Sequence, residues 1–381
     1  MRINRRASDR LRNGHVWVYV SDVLPGTDAA PGDAVPVEDE KGRFIGQAHY
    51  SSSSQIALRL LTRDRTPINR EFLRARLLAA FEHRERLRPY TPPTDALRLV
   101  FSEADQLPGL IVDRYGEMLS VQILTQGMDQ LEPVILEILQ ELCRPAGIVL
   151  RNDGAVRQKE SLPREVRILG EVPEQCELWM NGFVWAADLR QGQKTGLFLD
   201  QRENYMAAQK YAHGRALDCF TSSGGFALHL VKVCSEIDAV DASEAAVARA
   251  AANAAANGIS HINFHRADVF DFLAGSRRFE TIVLDPPAFA KSKASLDKAL
   301  AGYKEINQKA LRLLSPGGVL VTCSCSQHVS ETMFQEMLTA AALDAGQTLR
   351  ILERRVQASD HPVLLTIPET LYLKCVIAEV M

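Results

Sequence analysis

Short runs in which apolar and polar residues alternate open the chain. Val16-Trp17-Val18-Tyr19-Val20, Ala34-Val35-Pro36-Val37-Glu38, Phe44-Ile45-Gly46 and Ile56-Ala57-Leu58-Arg59-Leu60-Leu61 read as strands. Turns at Pro31-Gly32-Asp33 and Asp39-Glu40-Lys41-Gly42 separate them, and Pro67 ends this β-rich module. From Arg70 to Leu87 the period changes: Phe72, Leu73, Leu77, Phe81 and Leu87 fall at helical spacing against an arginine-bearing face. A second small unit runs from Leu97 to about Gly170. Its strand-like segments (Leu110–Val112, Leu119–Leu124, Gly147–Leu150) flank one amphipathic helix near Leu131–Leu142. After Asn181, strands at Ala216–Phe220, Ile237–Asp241, Ile262–His265, Thr281–Leu284 and Val319–Cys323 alternate with helices. That rhythm predicts an α/β fold built on a doubly wound parallel sheet. Leu349–Val356 and Leu371–Val380 add a terminal hairpin. The expected domains are residues 1–66, 67–180 and 181–381.

Composition narrows the class. At 381 residues the chain is too long for one core, and 46% hydrophobic with 24% charged residues fits a globular protein. No apolar run is long enough to span a bilayer. The basic start, Met1-Arg2-Ile3-Asn4-Arg5-Arg6, lacks the apolar segment of an export signal. Seven cysteines, with no Cys-x-x-Cys pair, argue against a disulfide framework or a zinc ribbon and for a reducing cytoplasm. Charge is divided unevenly: residues 1–90 hold 16 Lys and Arg against 11 Asp and Glu, and the remainder holds 28 against 36. Such a split suits a polyanion-binding module ahead of a catalytic body, though charge alone favours a solvated arginine face.

Ligands of an open α/β sheet bind outside the strand carboxyl ends. There, Asp218-Cys219-Phe220-Thr221-Ser222-Ser223-Gly224-Gly225-Phe226 runs from a strand through a Gly-rich turn into a helix, without the pyrophosphate cradle of dinucleotide enzymes. Asp241, followed by Ala242 and Ser243, ends the next strand, where a carboxylate can hold ribose hydroxyls. Asp268, followed by Val269, stands where an adenine amine would lie; an aspartate in that place also caps helices. An adenosine site without a pyrophosphate fingerprint points to S-adenosylmethionine, with no metal. Asp285-Pro286-Pro287 follows the fourth strand, its prolines fixing the loop beside the expected methyl position. Cys323 and Cys325 share one strand phase after the fifth. Cys325 lies nearer the ligand side and is the candidate nucleophile; Cys323 is expected to pack within the sheet.

These residues resemble a known family, the bacterial 23S ribosomal RNA cytosine-C5 methyltransferases of the large-subunit methyltransferase I type. The signature is carried by Gln193-Lys194-Thr195-Gly196-Leu197-Phe198-Leu199-Asp200-Gln201-Arg202, Leu284-Asp285-Pro286-Pro287-Ala288-Phe289-Ala290-Lys291, Gly302-Tyr303-Lys304 and Cys323-Ser324-Cys325-Ser326. Arg10-Leu11-Arg12-Asn13-Gly14-His15-Val16-Trp17 resembles the start of its PUA domain, an RNA-binding β-barrel, and Ser102–Gly116 its central α/β domain. The resemblance implies a class I methyltransferase (Rossmann-like) domain behind these two. It implies cofactor contacts at Gln201, Arg202, Asp218, Phe220, Thr221, Ser222, Gly224, Gly225, Phe226, Asp241, Ala242, Ser243, Asp268, Val269 and Asp285. Cys325 and Asp285 would be catalytic. The expected partner is 23S ribosomal RNA or the assembling large subunit, held by Arg10, Arg12, Arg74, Arg84, Arg88, Lys291 and Lys293. The expected setting is a cytoplasmic protein away from membranes, with a homodimer as one possible assembly.

One departure bears on mechanism: other RNA cytosine-C5 methyltransferases carry a second cysteine directly after the Asp-Pro pair, where Pro287 and Ala288 stand here. Two further readings stay open, a ribosomal guanine methyltransferase on the same fold and a non-catalytic RNA-binding assembly factor.

Overall fold

In the computed structural model the described residues are 1–26, 28–192, 195–290 and 293–381, with the backbone alone for Lys293. The chain forms two compact units. The first comprises residues 1–179, 187–197 and 359–370; the second comprises 180–186, 198–358 and 371–381.

The first unit holds two sheets. Strands Trp17–Tyr19, Ala34–Glu38, Phe44–Tyr50 and Ile56–Thr62 pair antiparallel, the first beside the fourth, over a core of Ile3, Leu11, Val18, Val37, Ala48 and Leu58. A helix at Arg5–Arg12 was not foreseen: it is eight residues long, mostly polar, and buries only Ala7, Ser8 and Leu11. Its signal was Asn4, whose side chain accepts from Ala7 N–H at 2.9 Å as an N-cap. The second sheet stacks Ala96–Phe101, Leu110–Tyr115, Met118–Ile123, Gly147–Asn152 and Glu165–Gly170 in chain order. Helices Arg70–Leu87 and Glu132–Cys143 lay Leu73, Leu77, Ile135, Ile138 and Leu139 on it. Both outer strands escaped the sequence reading. Ala96–Phe101 buries Arg98 against Asp113 at 2.7 Å, which spoils the apolar alternation. Glu165–Gly170 is an edge strand with both faces largely exposed.

The second unit is built on seven strands: β1 (Gly214–Cys219), β2 (Cys234–Asp241), β3 (Ile262–Arg266), β4 (Phe279–Leu284), β5 (Leu314–Ser324), β6 (Leu349–Arg355) and β7 (Lys374–Val380). Their order is β3-β2-β1-β4-β5-β7-β6. All pairs among β1–β5 are parallel, whereas β7 runs antiparallel to both neighbours. The expected terminal hairpin is therefore present as a strand pair with a long connection. Ser243 starts the helix Glu244–Ala256 by accepting from Ala246 N–H, and Gly258, at φ +68°, ends it. Helix Leu296–Leu313 buries Ala299, Tyr303, Ile306 and Ala310, one face of a 3.6-residue period. Strand order reverses between β1 and β4, so this sheet opens its crevice at their carboxyl ends. Among the described residues no helix is long and apolar enough to cross a membrane.

Candidate active site

The turn after β1 is held in a strained form. Phe220 and Ser222, neither a glycine, sit at φ +64° and +52°, a conformation that costs roughly 1–3 kcal/mol and collects at functional sites. Asp218 fastens it from below: one carboxylate oxygen accepts from Thr221 Oγ1 at 2.7 Å and from Ala227 N–H at 3.0 Å. Gly225 is required because a Cβ there would lie 2.3 Å from the Tyr205 ring. The other Asp218 oxygen, Oδ1, is buried without a partner. Burial pushes this carboxyl up to about 7, against the lowering effect of its two hydrogen bonds.

An acid that binds protons more tightly folded than unfolded stabilises the fold below its unfolded pKa, and that contribution is lost as pH rises to the folded value. For Asp218 the window runs from about 4 to about 7. Replacing it by asparagine should remove this component, so the variant gains on the wild type by up to about 4 kcal/mol across that window. Urea unfolding at pH 4.5 and 8 measures the difference. A gap independent of pH would mean that the carboxyl does not titrate there.

Asp241 spans two loops, accepting from Ser222 N–H at 3.1 Å and from Ser243 N–H at 2.9 Å. Asp268 caps helix Val269–Phe272 through Phe270 and Asp271 N–H, so the helix-cap alternative describes what its Oδ1 does. Phe220, Ser222, Asp241, Ala242, Ser243, Asp268 and Asp285 reach the surface along this rim. Thr221, Gly224 and Gly225 are buried and shape the turn. Three further residues of the expected set are buried. Phe226 stacks edge-on against Tyr205 at 4.8 Å, Val269 belongs to the core, and Arg202 is 2% exposed with its guanidinium beside Glu203. Their side chains support the rim without facing the open crevice.

Across the switch point stand Asp285 and Cys325. Gln201 is buried and donates from Nε2 to Asp285 Oδ1 at 2.9 Å. Pro286 and Pro287 then fix the loop, and Cys325 Sγ lies 3.9 Å from the Pro286 carbonyl oxygen. Cys325 is half-buried, one residue beyond β5. The following Ser326 locks the neighbouring loop: its Oγ accepts from Ala290 N–H at 3.1 Å and meets Tyr303 Oη at 2.9 Å. Cys323 is fully buried and pairs in register with Cys375 of β7; burial, followed by that neighbouring thiol, raises its pKa well above the ordinary value. Lys374, which the sequence reading missed, donates to the carbonyls of Ser326 and Val329 at 2.8 and 2.7 Å. Its one signal was a lysine inside the apolar run Leu371–Val380.

The arginines of the first unit divide by burial. Arg84 is 3% exposed, pairs with Asp105 and donates to the carbonyls of Arg98 and Asp360. The guanidinium expected to contact RNA is thus turned inward and bonded to protein groups. Arg10 pairs with Asp22, Arg12 with Asp39, Arg74 with Glu141 and Arg88 with Glu85, all with guanidinium surface remaining. Lys291 lies outside the described residues, as do Gln193 and Lys194 of the signature.

Comparison with known proteins agrees with this geometry. Residues 1–63 match a PUA-like domain, and residues 135–366 match the S-adenosylmethionine-dependent methyltransferases. Ribosomal RNA large subunit methyltransferase I of Photobacterium profundum is 39% identical, over 96% of this chain and 95% of that protein. Its counterpart in Aeromonas hydrophila is 41% identical, over 98% and 96%. Among solved structures, a SAM-dependent methyltransferase from Streptococcus mutans superposes with a TM-score of 0.85 at 20% identity, covering all of this chain and 99% of that one. A methyltransferase complexed with SAH gives 0.87 at 20% identity with the same coverage. The partition of buried and rim residues around β1–β5, together with full-length identity near 40%, leads to one assignment: the chain belongs to the S-adenosylmethionine-dependent methyltransferases, in the family of ribosomal RNA large subunit methyltransferase I.

Proposed function

We propose that the protein methylates C5 of a cytosine in 23S ribosomal RNA, naked or in the assembling large subunit, in the cytoplasm. The observation that carries this reading is a half-buried thiol at the β5 end, 3.9 Å from the Asp-Pro loop. Cytosine C5 is a poor nucleophile until a thiolate adds to C6 and pushes electron density onto C5. S-adenosylmethionine, when bound, supplies the electrophilic methyl group that C5 takes. The residues fit that cofactor: the turn after β1 offers an unpartnered buried oxygen on Asp218, and Asp241 and Asp268 present carboxylates on the rim beside it.

Cys325 forms the bond to C6 and leaves again once a base has taken the C5 proton. Asp285, oriented by Gln201, holds the N3/N4 edge and offsets the positive charge of the protonated adduct. Cys323 is a poor substitute for the absent second thiol, because burial keeps it protonated. The target base must leave its stack at a cost of a few kcal/mol. Nucleoside mass mapping of 23S rRNA from a strain lacking the protein should show one 5-methylcytidine missing. A missing methylguanosine would overturn the reading in favour of guanine chemistry.

Arginines with open surface would hold the surrounding RNA through phosphates. Replacing Arg12, Arg74 and Arg88 together by glutamine should flatten the dependence of log K on log salt by about two to three in slope. Arg84→Ala should leave the slope alone and destabilise the fold by roughly 3–5 kcal/mol, since it strands a buried Asp105. Filter binding between 50 and 300 mM salt, on the order of magnitude used for such slopes, with thermal melts alongside, separates the two. An unchanged slope in the triple variant would reduce those arginines to a solvated face.

A further inference from the structure

The ammonium of Lys374 is tied to the loop that follows Cys325. Lys374 begins β7 and is paired in register with Ser324, the last residue of β5 and the neighbour of Cys325. Its side chain reaches over the strand end and donates to the carbonyls of Ser326 and Val329, closing the loop that follows Cys325. The residue is only 7% exposed.

Two carbonyls satisfy N–H groups but carry no net charge, and a buried ammonium without counter-charge is costly. Burial pulls the Lys374 pKa down to about 8, while negative charge at Cys325, and after it Glu331, pushes it up. Glu331 is exposed at the start of helix Glu331–Asp344, whereas Cys325 is half-buried. Among the described residues, neither Tyr303 nor Asp285 supplies a cation there. Tyr303, from helix Leu296–Leu313, is held neutral by burial. Asp285 stands on the loop whose Pro286 carbonyl lies 3.9 Å from Sγ, and a carboxyl group brings no positive charge.

Resting on the assignment of Cys325 as nucleophile, we propose that Lys374 is a positioning residue. It clamps the loop behind the thiol and supplies the positive charge that keeps Cys325 as a thiolate. The thiol proton goes to solvent, and Lys374 keeps its own throughout.

Site-resolved alkylation tests this without RNA. Full-length protein is treated with iodoacetamide from mildly acidic to alkaline pH, and Cys325 modification is followed by peptide mass mapping. Lys374→Met should alkylate Cys325 about tenfold more slowly at neutral pH, the loss of thiolate expected when the midpoint rises by about one pH unit. Lys374→Arg keeps the charge and should keep the wild-type midpoint, and its kcat should stay closer to wild type than that of the methionine variant. A merely structural lysine would change stability and leave the midpoint where it was; that result in a folded Lys374→Met protein overturns the proposal. Should the methionine variant not fold, a wild-type midpoint at or above the ordinary thiol value of about 8.5 overturns it alone. A lowered, Lys374-dependent midpoint supports the pairing even if RNA carrying 5-fluorocytosine yields no adduct. That combination would sink the cytosine reading while the thiolate pair stands.

Discussion

Cys325→Ala is expected to abolish methylation with cofactor affinity unchanged, while Cys323→Ala keeps part of the activity. Losing a nucleophile that forms a covalent intermediate typically costs on the order of 10⁴-fold or more in kcat. Cys325 is half-buried beyond the end of β5 and borders the Asp-Pro loop at 3.9 Å, so RNA can reach it. Cys323 is enclosed in the sheet beside Cys375, and burial drives its thiol strongly toward the protonated form. Its truncation leaves a small cavity under Gln201 and Asp285, worth roughly 1–2 kcal/mol of stability, and lowers activity only by loosening that support. RNA carrying 5-fluorocytosine gives a direct readout, because fluorine cannot leave as the C5 proton does. Wild type and Cys323→Ala should form a denaturation-resistant adduct, and Cys325→Ala should form none. An adduct in Cys325→Ala but not in Cys323→Ala would exchange the two roles.

Much of this site was legible because its parts obey local rules. The five parallel strands announce themselves as apolar runs bounded by turn residues, and the candidate site residues fall at their carboxyl ends, where the topology places ligands. Register alone separated the two thiols, since strand phase puts Cys323 one repeat further back in the sheet. What escaped depends on contacts between segments distant in sequence. Arg84 looked like one more charge on an arginine helix, yet its face turns inward to Asp105 and to the Asp360 carbonyl. Helix periodicity had placed Leu73 and Leu77 on the apolar side, and the structure buries Ala80 and Arg84 along the same stripe. Arg202 was carried along by its signature and proved to be packed beneath it. Lys374 lies 49 positions after Cys325 in the chain and meets its loop only because β7 inserts beside β5. Antiparallel insertion of a last strand leaves no trace in hydrophobic periodicity.

Asp285, proposed to hold the base edge, should show the second large effect. Asp285→Asn preserves the shape of the side chain and an oxygen able to accept from Gln201 Nε2, now 2.9 Å away. It removes the negative charge that would offset the protonated adduct and places an amide donor toward a substrate edge that itself donates. Losing one preorganised electrostatic contact of this kind typically costs about 10²–10³-fold in kcat. Cofactor affinity should fall far less than kcat, because Asp218, Asp241 and Asp268 are untouched; the same distinction between transition-state and ground-state contacts governs how kcat and KM divide. Gln201→Ala keeps the charge and loses only its orientation, so about tenfold is expected, well below the loss from Asp285→Asn. Its partner Asn204, which donates to Gln201 Oε1 at 2.6 Å, would be left with a vacated acceptor and a modest loss of stability. Single-turnover methylation with RNA and cofactor both saturating reads the chemical step. A raised KM for RNA with unchanged kcat in Asp285→Asn would reduce the carboxylate to a docking contact. Equal losses in the two variants would mean that orientation by Gln201, and not charge, is what the loop supplies.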